Sequence, residues 1–157
     1  MPLDASRFRH AIGLLPTGVT VVTARLGADV IGMTASAVTS LSLDPPMLLV
    51  CVGHAAEIHE AIVGAPIFGV AMLAVGQEEV AERFATRGRQ RFAPDEGHPG
   101  PAGLPLIDGA LAHLECRRAE VFRGGDHSIV TGVVEWAQTR DGAPLCYFRS
   151  AYRTLRE

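Results

Sequence analysis

The chain has 157 residues, 48% apolar and 20% charged, and its 14 Lys and Arg positions against 17 Asp and Glu give a net charge of −3. That length fits one globular domain over residues 1–157 with a core of its own, and the composition excludes disorder. All the Lys and Arg positions are arginine, yet they form no stripe, so the pattern excludes a reader of nucleic-acid backbone.

Asp4 to Leu15 opens on cap residues and sets Phe8, Ile12 and Leu15 at helical spacing, which predicts a short amphipathic helix stopped by Pro16. Gly18 to Thr23 is β-branched almost throughout, and Leu26-Gly27-Ala28-Asp29 turns it into a second strand ending at Gly32-Met33. Ser36 to Ser42 is rich in Ser, Thr and Val. Leu43-Asp44-Pro45-Pro46 then breaks the chain, because neither proline donates to a ladder.

Met47 to Val52 is continuously apolar, as in a strand buried on both faces. Ala55 to Val63 has the spacing of a helix, Pro66 to Leu73 returns to strand, and Gln77 to Phe84 forms a second, charged helix. Ala85 to Pro105 reads as a long irregular loop of the kind that is functional or mobile. Two long strands follow, Ala110 to Phe122 and His127 to Thr139, joined through Arg123-Gly124-Gly125-Asp126, and a short strand at Leu145 to Arg149 closes the chain. Many strands and few helices predict a mainly β fold with short helices, an antiparallel barrel rather than parallel βαβ winding.

Cys51, Cys116 and Cys146 lie far apart in apolar runs and are expected as free thiols in a reducing compartment. Met1-Pro2-Leu3-Asp4 lacks the plan of a signal peptide, and no apolar stretch approaches the roughly 18–20 residues that cross a bilayer. A cytoplasmic location without a membrane partner is the expectation.

No G-x-G-x-x-G follows a strand, no Walker loop exists, and the six histidines show neither H-E-x-x-H nor Cys pairs at zinc spacing, so no metal is expected. What remains is the run Gly32 to Ser40, small and hydroxylic, which either admits a ligand close to the backbone or is an ordinary strand and turn. Arg83, Arg87, Arg89 and Arg91 either grip a phosphate or form a solvated face. Asp126 and His127 sit in a glycine turn, where the carboxylate is able to fix the imidazole tautomer or both are plain turn residues.

Taken in order, Phe8-Arg9-His10-Ala11-Ile12-Gly13, Pro16 to Thr23, Gly32-Met33-Thr34-Ala35-Ser36, Ser40 to Pro46, His59-Glu60-Ala61-Ile62, Arg91-Phe92, Leu114-Glu115-Cys116, Gly125-Asp126-His127, the strand around Gly132 to Val134, Pro144-Leu145 and Tyr152 resemble the flavin reductase family, including the small reductase components of two-component flavin monooxygenases. The resemblance covers nearly the whole chain. It implies a split β-barrel homodimer that binds FMN or FAD, takes hydride from NADH or NADPH, and supplies reduced flavin to a separate oxygenase. The competing reading is a non-catalytic flavin store or sensor.

By the same resemblance the flavin-binding residues are Thr17, Met33, Thr34, Ala35, Ser36, Ala37, Ser40, Cys51, Val52, Gly53, Ala56, Arg91, Phe92 and Tyr152, and His127 is the catalytic residue on the nicotinamide side. Two positions depart from the pattern. Gly53-His54-Ala55-Ala56 stands where relatives often carry Asn or Arg and Ser, and Ala71 stands where Asn is common.

Overall fold

Asp4 starts the first helix as a cap, its carboxylate accepting the Ser6 amide at 2.6 Å. The computed structural model describes residues 3–155. Helix α1 (Ala5–Ile12) leads to strands β1 (Thr17–Gly18), β2 (Thr20–Leu26), β3 (Asp29–Ala35), β4 (Val38–Leu43) and β5 (Pro46–Gly53). Then come α2 (Ile58–Gly64), β6 (Ile67–Met72), α3 (Glu78–Ala85), β7 (His98–Pro99), β8 (Pro105–Leu106), β9 (Ala112–Gly124), β10 (His127–Thr139), β11 (Leu145–Phe148) and β12 (Ala151–Thr154).

The main sheet has seven strands in the order β3-β2-β6-β9-β10-β5-β4, every pairing antiparallel. It curls around a core of Val22, Val50, Val52, Ile58, Ile62, Phe68 and Val130, with α2 packed inside the curl. A second cluster around Val21, Leu73, Phe84 and Leu145 ties α3 and the small sheet β1-β11-β12 to it. The split, mainly β barrel expected from the sequence is the observed architecture.

Several boundaries differ from expectation, each for a local reason. Helix α1 ends at Ile12 rather than Leu15, because Gly13, Leu14 and Leu15 turn back onto Arg9, Ala11 and Ile12. It buries none of its residues, and Phe8, Ile12 and Leu15 stay 50–60% exposed. The expected strand Gly18 to Thr23 divides at Val19, whose amide donates to Leu145 while its carbonyl accepts from Leu73. The second strand runs past Met33 to Ala35. The prolines do not break the chain outright: Leu43 pairs with Pro46 across a tight hairpin.

Helix α2 begins at Ile58, after a turn in which Ala56 donates to Gly53. The long loop is pinned rather than loose, since it carries the β7-β8 pair and Glu96 within it binds Arg83. The chain closes on a hairpin, not on a single strand. Its turn places Arg149 and Ser150 at φ 50° and 59°.

Candidate active site

The small-residue run is the end of β3, the connection Ser36-Ala37 and the start of β4. Of its four hydroxyls, that of Thr34 is spent inward, and Thr20 on the neighbouring strand β2 is spent on the run's own backbone. Thr34 Oγ1 donates to the Ala81 carbonyl and Thr20 Oγ1 to the Ala35 carbonyl, both at 2.6 Å. These bonds tie the run to α3 and β2 and leave exposed the Ala37 methyl and the Ser36 side chain. Beyond the run, Cys51 donates its amide to the Ala37 carbonyl at 3.0 Å, which joins it to β5.

Strand β5 then carries the surface toward the long hairpin, where Cys51 lies opposite Ile129 and Gly53 opposite His127. Two residues of strand separate Cys51 from Gly53, about 6.6 Å. The His127 ring covers Gly53, and a methyl added there would meet Nε2 at 3.6 Å. His127 Nδ1 is 2.7 Å from the Asp126 carboxylate. That hydrogen bond, with the nearby imidazole, holds the Asp126 carboxyl below its usual range. An ionised carboxylate only accepts, so Nδ1 carries the proton and Nε2 is the nitrogen left for a ligand.

The neighbours of this dyad are imidazoles as well. His54 donates its amide to the Asp126 carbonyl at 2.9 Å, and His59 Nε2 lies 2.8 Å from Ser128 Oγ. The His54 and His59 rings meet edge to face at 5.1 Å.

Two concavities flank Ser36. A small one of about 190 Å³ is lined by Val19, Thr34, Ala35, Ser36, Ala85, Tyr147 and Tyr152. A larger apolar groove of about 630 Å³ shares Val19 and Ser36 with it and takes in Thr17, Ser40, Leu43, Met47, Leu48, Leu114 and Leu145. Tyr147 and Tyr152 meet edge to face at 5.6 Å, and burial pushes the Tyr152 hydroxyl upward in pKa. The Thr17 hydroxyl is buried without a hydrogen-bond partner.

The structure therefore gathers most of the expected residues. Thr34, Ala35, Ser36 and Tyr152 line the small cavity, Thr17 and Ser40 the groove, and Ala37, Cys51, Gly53 and His127 the strip between Ser36 and the long hairpin. Ala56 is half-buried in the turn beside Gly53. Met33 and Val52 turn their side chains to the main core.

Arg91 and Phe92 are placed elsewhere. Arg91 is ion-paired with Asp29, and Phe92 stacks on Phe84 at 4.8 Å and fronts a separate polar hollow of about 260 Å³ with Arg25, Asp29 and Glu96. The reason is the backbone of residues 90–92, which runs along β3: Gly32 donates to Gln90, and Phe92 to Val30. Tyr147 and Ala85 join the cavity lining without a signal in the sequence; Tyr147 reaches it as the cross-strand partner of Tyr152. Among the described residues, no three His, Cys, Asp or Glu side chains gather as metal ligands.

A split antiparallel barrel with an open, methyl-lined shelf ending at an Asp-ordered histidine is the kind of protein that binds a flat heterocycle at its surface. The chain belongs to the flavin reductase-like domain family, whose model matches residues 12–156. It is 43% identical over 149 residues to the reductase component of 4-hydroxyphenylacetate 3-monooxygenase from Thermus thermophilus, covering 94% of this chain and 95% of that one. It is 44% identical to an NADH-dependent FAD reductase of Streptomyces globisporus, over 85% of this chain and 75% of that one. Among solved structures, the Streptomyces globisporus NADH:FAD oxidoreductase in complex with NAD and FAD fragments superposes with a TM-score of 0.91 at 38% identity, covering 98% and 93% of the two chains.

Proposed function

We propose that the chain is an NAD(P)H:flavin oxidoreductase that reduces FMN or FAD and releases the product to a separate oxygenase component. The observation that carries this reading is the surface that joins Tyr152 and Ser36 through Ala37 and Gly53 to His127. Bound there, a flavin supplies the acceptor for hydride from a nicotinamide, chemistry that asks no nucleophile of the protein. The chain's part is to hold two flat rings in register.

The residues fit that task. The methyl of Ala37 and the open backbone at Gly53 admit a ring face, and the inward bonds of Thr20 and Thr34 hold the shelf in place before a ligand arrives. His127 presents Nε2 on the same side as Gly53 and positions the nicotinamide, with Asp126 fixing its tautomer. The oxygenase partner follows from the relatives, several of which are named as reductase components of monooxygenases.

A homodimer is part of this reading. Helix α1 buries nothing, Leu43 at a hairpin tip is 92% exposed, and the apolar groove lies open, which together ask for a second copy. The free thiols of Cys51, Cys116 and Cys146 fit a reducing cytoplasm. No helix among the described residues is long and apolar enough to cross a membrane.

The test is anaerobic mixing of the purified protein with NADH and FMN or FAD. Bleaching of the flavin absorbance is expected. Binding without bleaching, with NADPH as well as NADH, would instead identify a flavin store. Sedimentation at micromolar concentration should give a species of twice 16.7 kDa.

A further inference from the structure

His127 has a chain neighbour on each side, and the segment after β5 holds both. On one side the Asp126 carbonyl accepts the His54 amide at 2.9 Å. On the other, Ser128 Oγ lies 2.8 Å from His59 Nε2. Ser128 is only 7% exposed, and alternation along β10 turns its side chain to the face opposite the His127 ring. A hydroxyl buried to that degree is costly to leave unpaired, so the bond to His59 is kept.

The two holds are joined to each other. The His54 and His59 rings meet edge to face at 5.1 Å, and the backbone between them is closed by Ala56 donating to Gly53 and His59 donating to Ala56, both at 3.0 Å. Among the described residues, His59 to Ser128 is the only side-chain hydrogen bond between α2 and β10. His59 makes no hydrogen bond to His127, whose Nδ1 is taken by Asp126. Whatever His59 does to that imidazole, it does through its neighbours.

We propose that His59 is a positioning residue for His127: bonded to Ser128 and braced on His54, it closes a circuit of contacts that holds the His127 backbone from both sides and keeps the imidazole over Gly53. The proposal rests on the flavin reductase reading, in which His127 positions the nicotinamide, and adds to it the side chain that sets where His127 stands. Hydride transfer between two rings tolerates little displacement, since a misplacement of about 1 Å is worth about 100-fold in rate. Loosening one hold of two should cost part of that, about tenfold. It should also slacken the Asp126 contact, so that the proton of His127 no longer stays on Nδ1 alone.

The experiment has two readouts on the whole protein. In the first, NADH oxidation with FMN is followed for Ser128→Ala, His59→Leu and His59→Gln, each alone and combined with His127→Ala. Ser128→Ala and His59→Leu should lower kcat/KM for NADH about tenfold with the Kd of FMN within about twofold of wild type, and His59→Gln, whose amide reaches the place of Nε2, should lose less. With His127→Ala already present, none of them should lower it by more than about twofold further, because residues that act through one another are not additive. Equal losses in the two backgrounds, or no loss in either, overturn the proposal. Ser128→Ala decides if His59→Leu fails to fold, since a methyl replaces the buried hydroxyl and the half-buried His59 reaches water. The second readout is imidazole nitrogen NMR of the ligand-free protein, which needs no activity. The two His127 nitrogens should be well separated in wild type, one protonated and one bare, and draw together in Ser128→Ala as tautomers mix. An unmoved pair overturns the proposal. If the pair moves as expected while the wild type fails to oxidise NADH, the positioning contact stands and the reductase reading falls.

Discussion

Gly32 is the point at which the loop after α3 presses on the sheet, so Gly32→Ala tests whether the α3 wall of the site is built as described. A methyl at Gly32 would lie 2.7 Å from Phe84 Cδ1 and Cε1 and 3.0 Å from Phe92 Cε2. Carbon pairs prefer about 3.5–4.0 Å, so the Phe84 ring has to retreat by about 1 Å. It has little room to do so. Phe84 is 1% exposed, Phe92 stacks on one side of it, and the Arg83 guanidinium covers it at 4.7 Å. Overpacking of this kind costs about 1–3 kcal/mol. At about 2–4 °C per kcal/mol for a chain of this size, the Tm should fall by about 2–12 °C. The control is Gly64→Ala at the end of α2, where an added methyl meets nothing within 4 Å and unfolded-state entropy predicts a gain of up to about 1 kcal/mol. Differential scanning calorimetry of the two variants decides. A Gly32→Ala melting point within about 1 °C of wild type would refute the packing, and with it the seating of Phe84 and Phe92 on β3.

His127→Ala should lower kcat and raise the KM for NADH by a combined 10-fold to 100-fold, about 1.4–2.7 kcal/mol, while flavin affinity holds; a drop in Tm with unchanged NADH parameters would make it a structural turn residue. His113 is half-buried and accepts the Ile107 amide through Nε2, and desolvation pulls its pKa below 6.5. The unfolded chain therefore takes up this proton first, so stability is full above about pH 6.5 and declines as pH falls toward the folded pKa. His113→Gln keeps an acceptor and should flatten that decline in urea titrations between pH 7.5 and 5.5. Arg83→Ala removes the Glu96 pair and the bonds to the Arg89 and Arg91 carbonyls, which should cost about 1–2 kcal/mol and expose the segment 86–97 to protease; an unchanged cleavage rate would mean the segment is held by other contacts.

Much of the fold was legible because the chain punctuates itself with glycine. Gly27 at φ 60° and Gly125 at φ 66° each open a two-residue hairpin turn, so both hairpins could be read from their turn residues. The closing hairpin was missed for the same physical reason in reverse. Arg149 and Ser150 both adopt left-handed backbone without being Gly, Asn or Asp, so no turn signal advertises β12 or the pairing of Tyr147 with Tyr152. Arg91 lies away from the shelf, because a sequence shows that an arginine is near a loop but not which carboxylate reaches it first. Asp29, 62 positions away, reaches it across the edge of β3.

The hydroxyls of the Gly32 to Ser40 run carry the same lesson into the site. Thr34 has the chemistry to bind a ligand, and α3 claims it first, at the Ala81 carbonyl. What that choice leaves at the surface is the Ala37 methyl, the Ser36 side chain and the open backbone at Gly53, fixed from behind and bounded at one end by an ordered imidazole. That end is His127, held by a two-residue turn in which Asp126 uses its carboxylate for the imidazole and its carbonyl for the His54 amide. Both groups of Asp126 are thereby committed to geometry although the side chain is 94% exposed. A shelf of small side chains held from behind, with a fixed imidazole at one end, suits a flat ligand that meets a second ring at that edge.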